Sequence, residues 1–204
     1  MFFDIGANIG RWSLTNAGNA SKIIAVEASP VTYEKLISNT SQNPKIMCLN
    51  YAVSSSQEDF ITFYDCDANT LSTSNIDWLQ SSKSRFFCYT PYQTIKCKTI
   101  SIDRLIELYG VPDLIKIDVE GGEYDTLKSL TAKAKNICFE WAAEMNDITL
   151  NCIDYLINLG YTEFAVQIED NYTYRPDSYT DVNSIKAYLN QTIPKKDWGM
   201  VWAR

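Results

Sequence analysis

The sequence predicts an α/β fold built on a mostly parallel sheet, with an antiparallel edge and helices on both faces. Short apolar, β-branched runs alternate with segments of helical spacing, which is the pattern of strands joined by crossover helices. Two late runs, 164–170 and 198–204, have a polar segment between them and are expected to pair antiparallel at the sheet edge. The chain has 204 residues, of which 46% are hydrophobic, so we expect one domain over residues 1–204.

Each predicted strand is an apolar run bounded by turn residues. In chain order these runs are 1–6, 23–28, 46–53, 61–64, 114–121 and 136–141. A short helix containing Trp12 and Leu14 is expected after the first run. Ser29 and Pro30 begin the next helix, as its N-cap and its first-turn proline.

Two later helices are predicted from their ends. Ser101 begins one helix, which Gly110 ends. Asn146 is expected to cap the other, and Gly160 to close it. The apolar stripe of this last helix is predicted to face the core and consists of Leu150, Ile153, Leu156 and Ile157.

Two polar segments interrupt the alternation of strands and helices. Residues 67–93 are rich in Ser, Thr, Asn and aromatic residues and have weak periodicity, which predicts an insertion or a lid. Residues 170–197 are polar and rich in tyrosine, and we interpret them as a loop.

Charge and residue types exclude several classes of function. Lys and Arg total 18 against 25 for Asp and Glu, a net charge of −7, so no nucleic-acid partner is expected. No apolar run is long enough to span a bilayer and no export signal is visible, which predicts a cytoplasmic protein without a membrane span. The chain has no histidine, and its six cysteines form no C-x-x-C pair. No structural zinc site is therefore predicted, and no spacing of ligands demands another metal.

The segment DIGANIG follows the first strand, at the place where α/β sheets bind ligands. Gly6 and Gly10 permit positive φ and close approach of a ligand, and Asn8 tolerates the left-handed region. The glycine spacing differs from that of dinucleotide sites, and Asp4 adds a negative charge, so a cationic ligand is expected. Glu27, at the end of the second strand, is placed to accept hydrogen bonds from a ribose diol. These residues together indicate an adenosine attached to a positive group.

A second set of ionisable residues lies near the ends of two later strands. Lys116, Asp118 and Glu120 alternate with apolar residues, so they share one face. Glu140 ends the next strand, at the same rim of the sheet. Because burying a carboxylate without a purpose is costly, Asp118 and Glu120 are candidate functional residues. An acidic rim favours a cation, a hydroxyl-rich ligand or a metal, which agrees with a sulfonium cofactor.

The ordered motifs DIGANIG, VEASP, LNYAVS, TISIDRL and LIKIDVEGGE resemble the FkbM family of S-adenosylmethionine-dependent methyltransferases. The resemblance covers about residues 2–141. It implies a Rossmann-like class I methyltransferase fold, S-adenosylmethionine as cofactor, and O-methylation, often of sugars in glycans, glycolipids or macrolide-type products. The residues that it places are Asp4, Gly6, Asn8 and Gly10 at the methionine end, Glu27 at the ribose, Asn50, Tyr51 and Ala52 near the adenine, and Asp118 and Glu120 beside the methyl group.

Family members usually have a further stretch before the first strand, so we expect this chain to be excised from, or fused within, a longer protein. Such a domain is expected to follow or work with a glycosyltransferase or another glycan-building module. The resemblance to this family suggests a deoxyhexose such as rhamnose as the acceptor. Residues 142–204 carry no family motif, so the sequence does not name the acceptor.

Methyl transfer to an alcohol needs an in-line approach and a group that accepts the hydroxyl proton. Without histidine, the candidate catalytic residues are Asp118, Glu120, Glu140 and Lys116. A carboxylate, first of all Asp118, is the predicted base, because nearby acids raise the pKa of Lys116. Aromatic residues of the polar segments are expected to touch sugar faces, namely Trp78, Tyr89, Tyr92, Tyr172 and Tyr174.

Three alternatives remain open from the sequence. A ribose 2′-O-methyltransferase acting on RNA would use a similar set of lysine and acids, but the net charge disfavours it. A nicotinamide oxidoreductase is disfavoured by the glycine spacing. A non-catalytic module that binds the cofactor or a glycan is disfavoured by the acids retained at the strand ends.

Overall fold

The computed structural model describes residues 1–192 and 197–204. The strands of this part of the chain are β1 (Phe2–Ile5), β2 (Ile23–Glu27), β3 (Ile46–Asn50), β4 (Ala52–Val53), β5 (Phe60–Cys66), β6 (Tyr92–Ile100), β7 (Leu114–Ile117), β8 (Ile137–Ala142), β9 (Phe164–Ile168) and β10 (Trp198–Ala203). The α-helices are α1 (Arg11–Asn16), α2 (Pro30–Thr40), α3 (Asp77–Gln80), α4 (Ile102–Tyr109), α5 (Glu123–Leu127), α6 (Asn146–Asn158) and α7 (Val182–Thr192). None of the described helices is long and apolar enough to cross a bilayer.

Seven strands form the main sheet, in the order β3-β2-β1-β7-β8-β10-β9. Central β1 runs parallel to β2 and β7, so that Asp4 pairs in register with Ala25 and Lys116. β10 runs antiparallel to both β8 and β9. The predicted antiparallel pairing of the last two runs is confirmed, but β10 lies inside the sheet and β9 forms its edge. The carboxyl ends of β1, β2, β7 and β8 meet at one rim.

Helices cover both faces of the main sheet, as predicted. Successive side chains of a strand point to opposite faces. Phe3 packs into the larger core cluster, which also holds the buried residues of α4, α6 and α7. Phe2 packs on the other side with Trp12 of α1, and Leu36 of α2 packs against Ala25.

A second, smaller sheet is formed by β4, β6 and β5. The strand predicted at 61–64 is confirmed as part of β5, which pairs antiparallel with β6 along its whole length. β6 was not predicted as a strand, and its first residues belong to the proposed insertion 67–93. The reason is its exposure: lysines and other polar residues occupy much of β6, so it lacks the apolar run of a core strand.

Helix α6 differs from its prediction at its start and along its stripe. Asn146 is its first residue rather than its cap, and its side-chain amide donates to Asn190 Oδ1 at 3.0 Å. Ile153 and Leu156 are fully buried, as predicted. Ile157 is 36% exposed, because a stripe of four residues is wider than the face that α6 buries.

The segment predicted as a loop at 170–197 contains helix α7. Ile185 and Leu189 lie one turn apart and are buried, which fixes this helix against the core. Val182, Ile185 and Leu189 follow helical spacing, and Asp181 accepts the backbone N–H of Ser184 at the start of the helix. The signal was therefore present, but the polar composition of the segment was given more weight. Residues 193–196 of the predicted loop lie outside the described residues.

Candidate active site

A cavity of about 310 Å³ opens at the rim where β1, β2, β7 and β8 end. Its volume is in the range of small-molecule sites, and open α/β sheets bind their ligands at this position. Nine of the twelve cofactor-binding and catalytic candidates line it, namely Gly6, Asn8, Glu27, Tyr51, Ala52, Lys116, Asp118, Glu120 and Glu140. Asp4, Gly10 and Asn50 are not among the lining residues.

The glycine loop, residues 6–10, is shaped by close packing. Gly6 has φ +75°, and a Cβ on it would lie 1.7 Å from the carbonyl oxygen of Asp118. The loop therefore packs directly on the end of β7, which only glycine allows. Gly10, with φ +89°, is the N-cap of α1, and a Cβ there would lie 2.9 Å from Leu36 Cδ1. Its role is to turn the chain against α2 rather than to line the cavity.

Glu27 is a nearly buried carboxylate that orients the glycine loop. Its two oxygens accept backbone N–H groups of Asn8 and Ser29, each at 2.9 Å. Burial raises the pKa of Glu27 to about 7, although both of these hydrogen bonds favour the charged form. Each carboxylate oxygen keeps a further acceptor site, so Glu27 can still accept hydrogen bonds from a diol.

Asp4 was expected at the methionine end and Asn50 near the adenine, and neither is among the residues that line the cavity. Asp4 is 0% exposed, accepts the Ser13 hydroxyl at 2.6 Å and lies 3.4 Å from Lys116 Nζ. The Asn50 side-chain amide donates to the carbonyl oxygens of Glu27 and of the next residue, at 2.8 and 3.0 Å. Both side chains are occupied in holding strand ends, a role that the residue type alone does not reveal.

Lys116 is a buried cation shared by two acids. Its Nζ lies 3.0 Å from Asp118 Oδ2 and 3.4 Å from Asp4 Oδ1, and it donates to the Gly6 carbonyl at 3.4 Å. Burial alone would lower the pKa of Lys116, but Asp118 and Asp4 outweigh it, and the pKa is raised. Lys116 therefore stays charged and ties β1, β7 and the glycine loop together.

Three carboxylates, those of Asp118, Glu120 and Glu140, meet in the cavity, each with an oxygen within 4.8 Å of the other two. Burial, followed by the charges of neighbouring acids, raises the pKa of Glu120 and of Glu140 well above the ordinary value. Such a set can share a proton, orient a hydroxyl group or hold a hard cation. Sequence spacing did not reveal it as a ligand set, because Glu140 comes from a neighbouring strand.

Residues 67–93, predicted as an insertion or a lid and called the lid from here on, contact three loops of the rim. The side-chain amide of Asn69 hydrogen-bonds to Asn8 Oδ1 in the glycine loop. Thr73 and Asn75 donate to the carbonyl oxygens of Glu120 and Gly121, at 2.6 and 2.9 Å. Arg85 Nη2 donates to Glu144 Oε2 at 2.7 Å, beyond β8. The lid is thus fastened to the ends of β1, β7 and β8.

Of the five aromatic residues expected to touch the acceptor, Tyr172 lines the cavity. Trp78 is 3% exposed and packs inside the lid with Phe86. The hydroxyls of Tyr89 and Tyr92 accept hydrogen bonds within the lid. Tyr174 stacks on Phe2. These four aromatic residues pin their segments to the protein instead.

Several lining residues were missed from the sequence, among them Asn69, Asp170 and Trp198. Asp170 ends the run of β9 and its pKa is raised by burial, so its place after a strand was a readable signal. Asn69 and Trp198 reach the cavity only through the folding of distant segments. No local pattern could have identified them.

Comparison with known protein families gives a match over most of the chain. The model of the methyltransferase FkbM domain matches residues 4–179. Hexuronic acid methyltransferase AglP of Haloferax volcanii is 29% identical over 142 residues. That match covers 68% of this chain and 53% of the relative, so the chain spans about half the length of this curated protein.

Solved structures with the same fold have low sequence identity. Precorrin-6y C5,15-methyltransferase from Geobacter metallireducens has a TM-score of 0.50 at 10% identity, over 100% of this chain and 78% of that one. Aeropyrum pernix fibrillarin, in complex with natively bound S-adenosyl-L-methionine, has a TM-score of 0.51 at 11% identity, over 100% of this chain and 65% of that one. The chain thus has the class I methyltransferase fold, as predicted.

Proposed function

Because the chain belongs to the methyltransferase FkbM domain family, we propose that it transfers a methyl group from S-adenosylmethionine to a hydroxyl of a sugar in a glycan or glycoconjugate. The observation that carries this proposal is a single cavity that joins the glycine loop and Glu27 to the cluster of Asp118, Glu120 and Glu140. A sugar acceptor is supported by the relative from Haloferax volcanii, whose name is hexuronic acid methyltransferase.

Family membership identifies S-adenosylmethionine as the cofactor, as predicted, and the residues present fit it. When bound, it supplies an electrophilic methyl group on a sulfonium. Glu27 has acceptor sites left for the ribose hydroxyls, and Tyr51 and Ala52 line the cavity beyond it. The carboxylates on the other side suit a positive charge. Gly6 keeps the approach to the backbone of the loop open.

Acidic groups outnumber basic ones in the cavity, which favours a neutral acceptor. The acids are Glu27, Asp118, Glu120, Glu140 and Asp170, and the basic residues are Arg11 and Lys116. Lys116 is already paired with two carboxylates. An anionic acceptor would be repelled, whereas sugar hydroxyls can donate to these oxygens. Tyr172 and Trp198 add aromatic surface for the apolar face of a sugar, and a deoxyhexose such as rhamnose meets both requirements.

The proton of the acceptor hydroxyl is assigned first to Asp118. Its carboxylate lines the cavity and is oriented by Lys116, which holds its own proton too tightly to act as a base. A positioned carboxylate that accepts this proton as the new C–O bond forms is a general base. Glu120 and Glu140 lie close enough to replace Asp118 in this role or to orient the hydroxyl. A glycosyltransferase that works with this domain remains a prediction.

The proposal is tested by incubating the protein with S-adenosylmethionine that carries a trideuterated methyl group. The acceptors are neutral deoxyhexosides and hexosides, the matching uronic acids, and a short RNA. We expect mass spectrometry to show the labelled methyl group on a neutral sugar, and the label to be lost after mild base only if an ester has formed. Transfer to RNA alone, or to the carboxyl group of a uronic acid alone, would contradict the proposal.

A further inference from the structure

Thr73 connects the small sheet to the loop that follows β7. Its backbone pairs with Tyr64 of β5, through N–H to oxygen distances of 2.8 and 3.1 Å. Its side chain is fully buried, and the hydroxyl donates to the carbonyl oxygen of Glu120 at 2.6 Å. The same hydroxyl accepts the backbone N–H of Asn75 at 2.8 Å. Thr73 is thus a fixed link from the small sheet to the loop that follows β7.

The loop needs such a link because of its backbone geometry. Glu120 has φ +55°, a left-handed conformation that a residue with a Cβ adopts only when its surroundings hold it there. Gly121 follows with φ +87°, and its carbonyl accepts the Asn75 side-chain amide at 2.9 Å. Trp78 packs against this glycine, since a Cβ on Gly121 would lie 3.4 Å from Trp78 Cβ. Three lid residues therefore support this turn.

The backbone of Glu120 determines where its carboxylate points. The side chain lines the cavity and has an oxygen within 4.8 Å of Asp118 and Glu140. We propose that Thr73 is a positioning residue for methyl transfer, which acts through the Glu120 carbonyl to hold the Glu120 carboxylate against the acceptor. The inference rests on the proposed function, because it assigns Glu120 a part in that reaction.

The test compares Thr73→Val, which keeps the shape and removes the hydroxyl, with Thr73→Ser, which keeps the hydroxyl. Thr90→Val is the matched control, since Thr90 is an exposed threonine of the same lid. We expect Thr73→Val to lower kcat by about tenfold to a hundredfold, the effect of a small misplacement in an active site. The affinity for S-adenosylmethionine should stay within about twofold, and Thr73→Ser should restore most of kcat.

A double-mutant cycle with Glu120→Gln separates this role from a general loss of stability. If Thr73 acts through Glu120, then Thr73→Val should change kcat by less than about twofold in the Glu120→Gln background. Multiplicative effects of the two substitutions would overturn the inference. So would a Thr73→Val protein with wild-type kcat, or a Glu120→Gln protein with full activity.

A second variant covers the case in which Thr73→Val does not fold, as judged from its thermal unfolding. Asn75→Ala removes the neighbouring hydrogen bond to Gly121, and full activity of that variant would overturn the inference. Failure of the proposed function has a different signature, because the wild-type protein would then methylate no sugar acceptor. That result would overturn both proposals, whereas methylation by the wild type with an unaffected Thr73→Val variant overturns this one alone.

Discussion

Two buried acids at neighbouring strand ends show how contacts decide the role of a residue. Asp4 and Glu27 are both buried. Asp4 accepts a hydrogen bond from the Ser13 hydroxyl, and Glu27 accepts one from the backbone N–H of Asn8. Asp4 is enclosed between Ser13 and Lys116 and does not reach the cavity. Glu27 faces the cavity and keeps acceptor sites for a ligand. At the scale of single residues, Glu27 is therefore the acid whose loss should affect the cofactor directly.

Replacement of Glu27 by Ala should weaken S-adenosylmethionine binding by roughly 1.5 to 3 kcal/mol, the usual worth of hydrogen bonds to a charged group. Titration calorimetry measures the change. Glu34→Ala is the control, because Glu34 is an exposed acid of the adjacent helix α2. Equal affinities of the wild type and the Glu27 variant would remove Glu27 from the cofactor site.

Replacement of Asp118 by Asn keeps the shape of the side chain but removes its ability to take a proton. Turnover should fall by roughly a hundredfold to ten-thousandfold, the contribution of a positioned general base, while cofactor affinity changes much less. Steady-state kinetics and calorimetry measure the two quantities, with Asp177→Asn, in an exposed loop, as control. A variant that keeps more than about a tenth of turnover would transfer the role of base to Glu120 or Glu140.

At the scale of elements, the site depends on how closely the glycine loop packs on the end of β7. The Asp118 carbonyl and Gly6 approach so closely that no side chain fits between them. This close packing places Asn8, Glu27 and Asp118 around the same cavity. The spacing between Glu27 and the acidic cluster is thus determined by backbone packing.

Replacement of Gly6 by Ala should lower the free energy of unfolding by about 2 to 4 kcal/mol, since a Cβ would overlap a carbonyl oxygen at a positive φ. Gly18 provides the matched control, because a Cβ on this residue has no heavy atom within 4 Å. Gly18→Ala should change the stability by no more than about 0.5 kcal/mol. Urea denaturation compares the two, and equal stabilities would mean that the contact is not tight in solution.

At the scale of the whole molecule, the chain carries a net charge of −7 and still gathers acids at one rim. Burial raises the pKa of Glu27 to about 7. It also raises the pKa of Glu123 to about 7, although Glu123 accepts backbone N–H groups from Val119 and Gly121. These groups reduce the stability of the cofactor-free protein when they ionise.

The stability of the cofactor-free protein should therefore fall as the pH rises from about 4.5 to about 7. In this window the folded state binds more protons than the unfolded state, so the free energy of unfolding decreases by up to about 1.4 kcal/mol per pH unit for each raised group. Carboxyls with a lowered pKa, such as Glu144, lose their stabilising effect only below this window. Urea denaturation at pH 5 and pH 7.5 measures the difference. Higher stability at pH 7.5 would contradict the raised pKa of Glu27 and Glu123.

The sequence by itself determined which strands carry the candidate functional residues, and in what order along the chain. Glycines and an acid after β1, Glu27 after β2, and Lys116 and Asp118 at the end of β7 were readable because strands, turns and strand-end residues follow local rules. Those rules, with the ordered motifs, predicted the parallel sheet, the class I methyltransferase fold and the cofactor. The lack of periodicity in residues 67–93 also predicted an insertion or a lid, which stays a prediction.

Only the tertiary structure decided which of these residues face the cavity. Asp4 and Asn50 turned out to support strand ends, because their hydrogen-bonding partners come from other elements. Asn69, Trp198 and the link from Thr73 to Glu120 bring together segments that are far apart in the chain. Such contacts depend on the packing of distant segments and have no local pattern, so a sequence read one window at a time carries no signal for them.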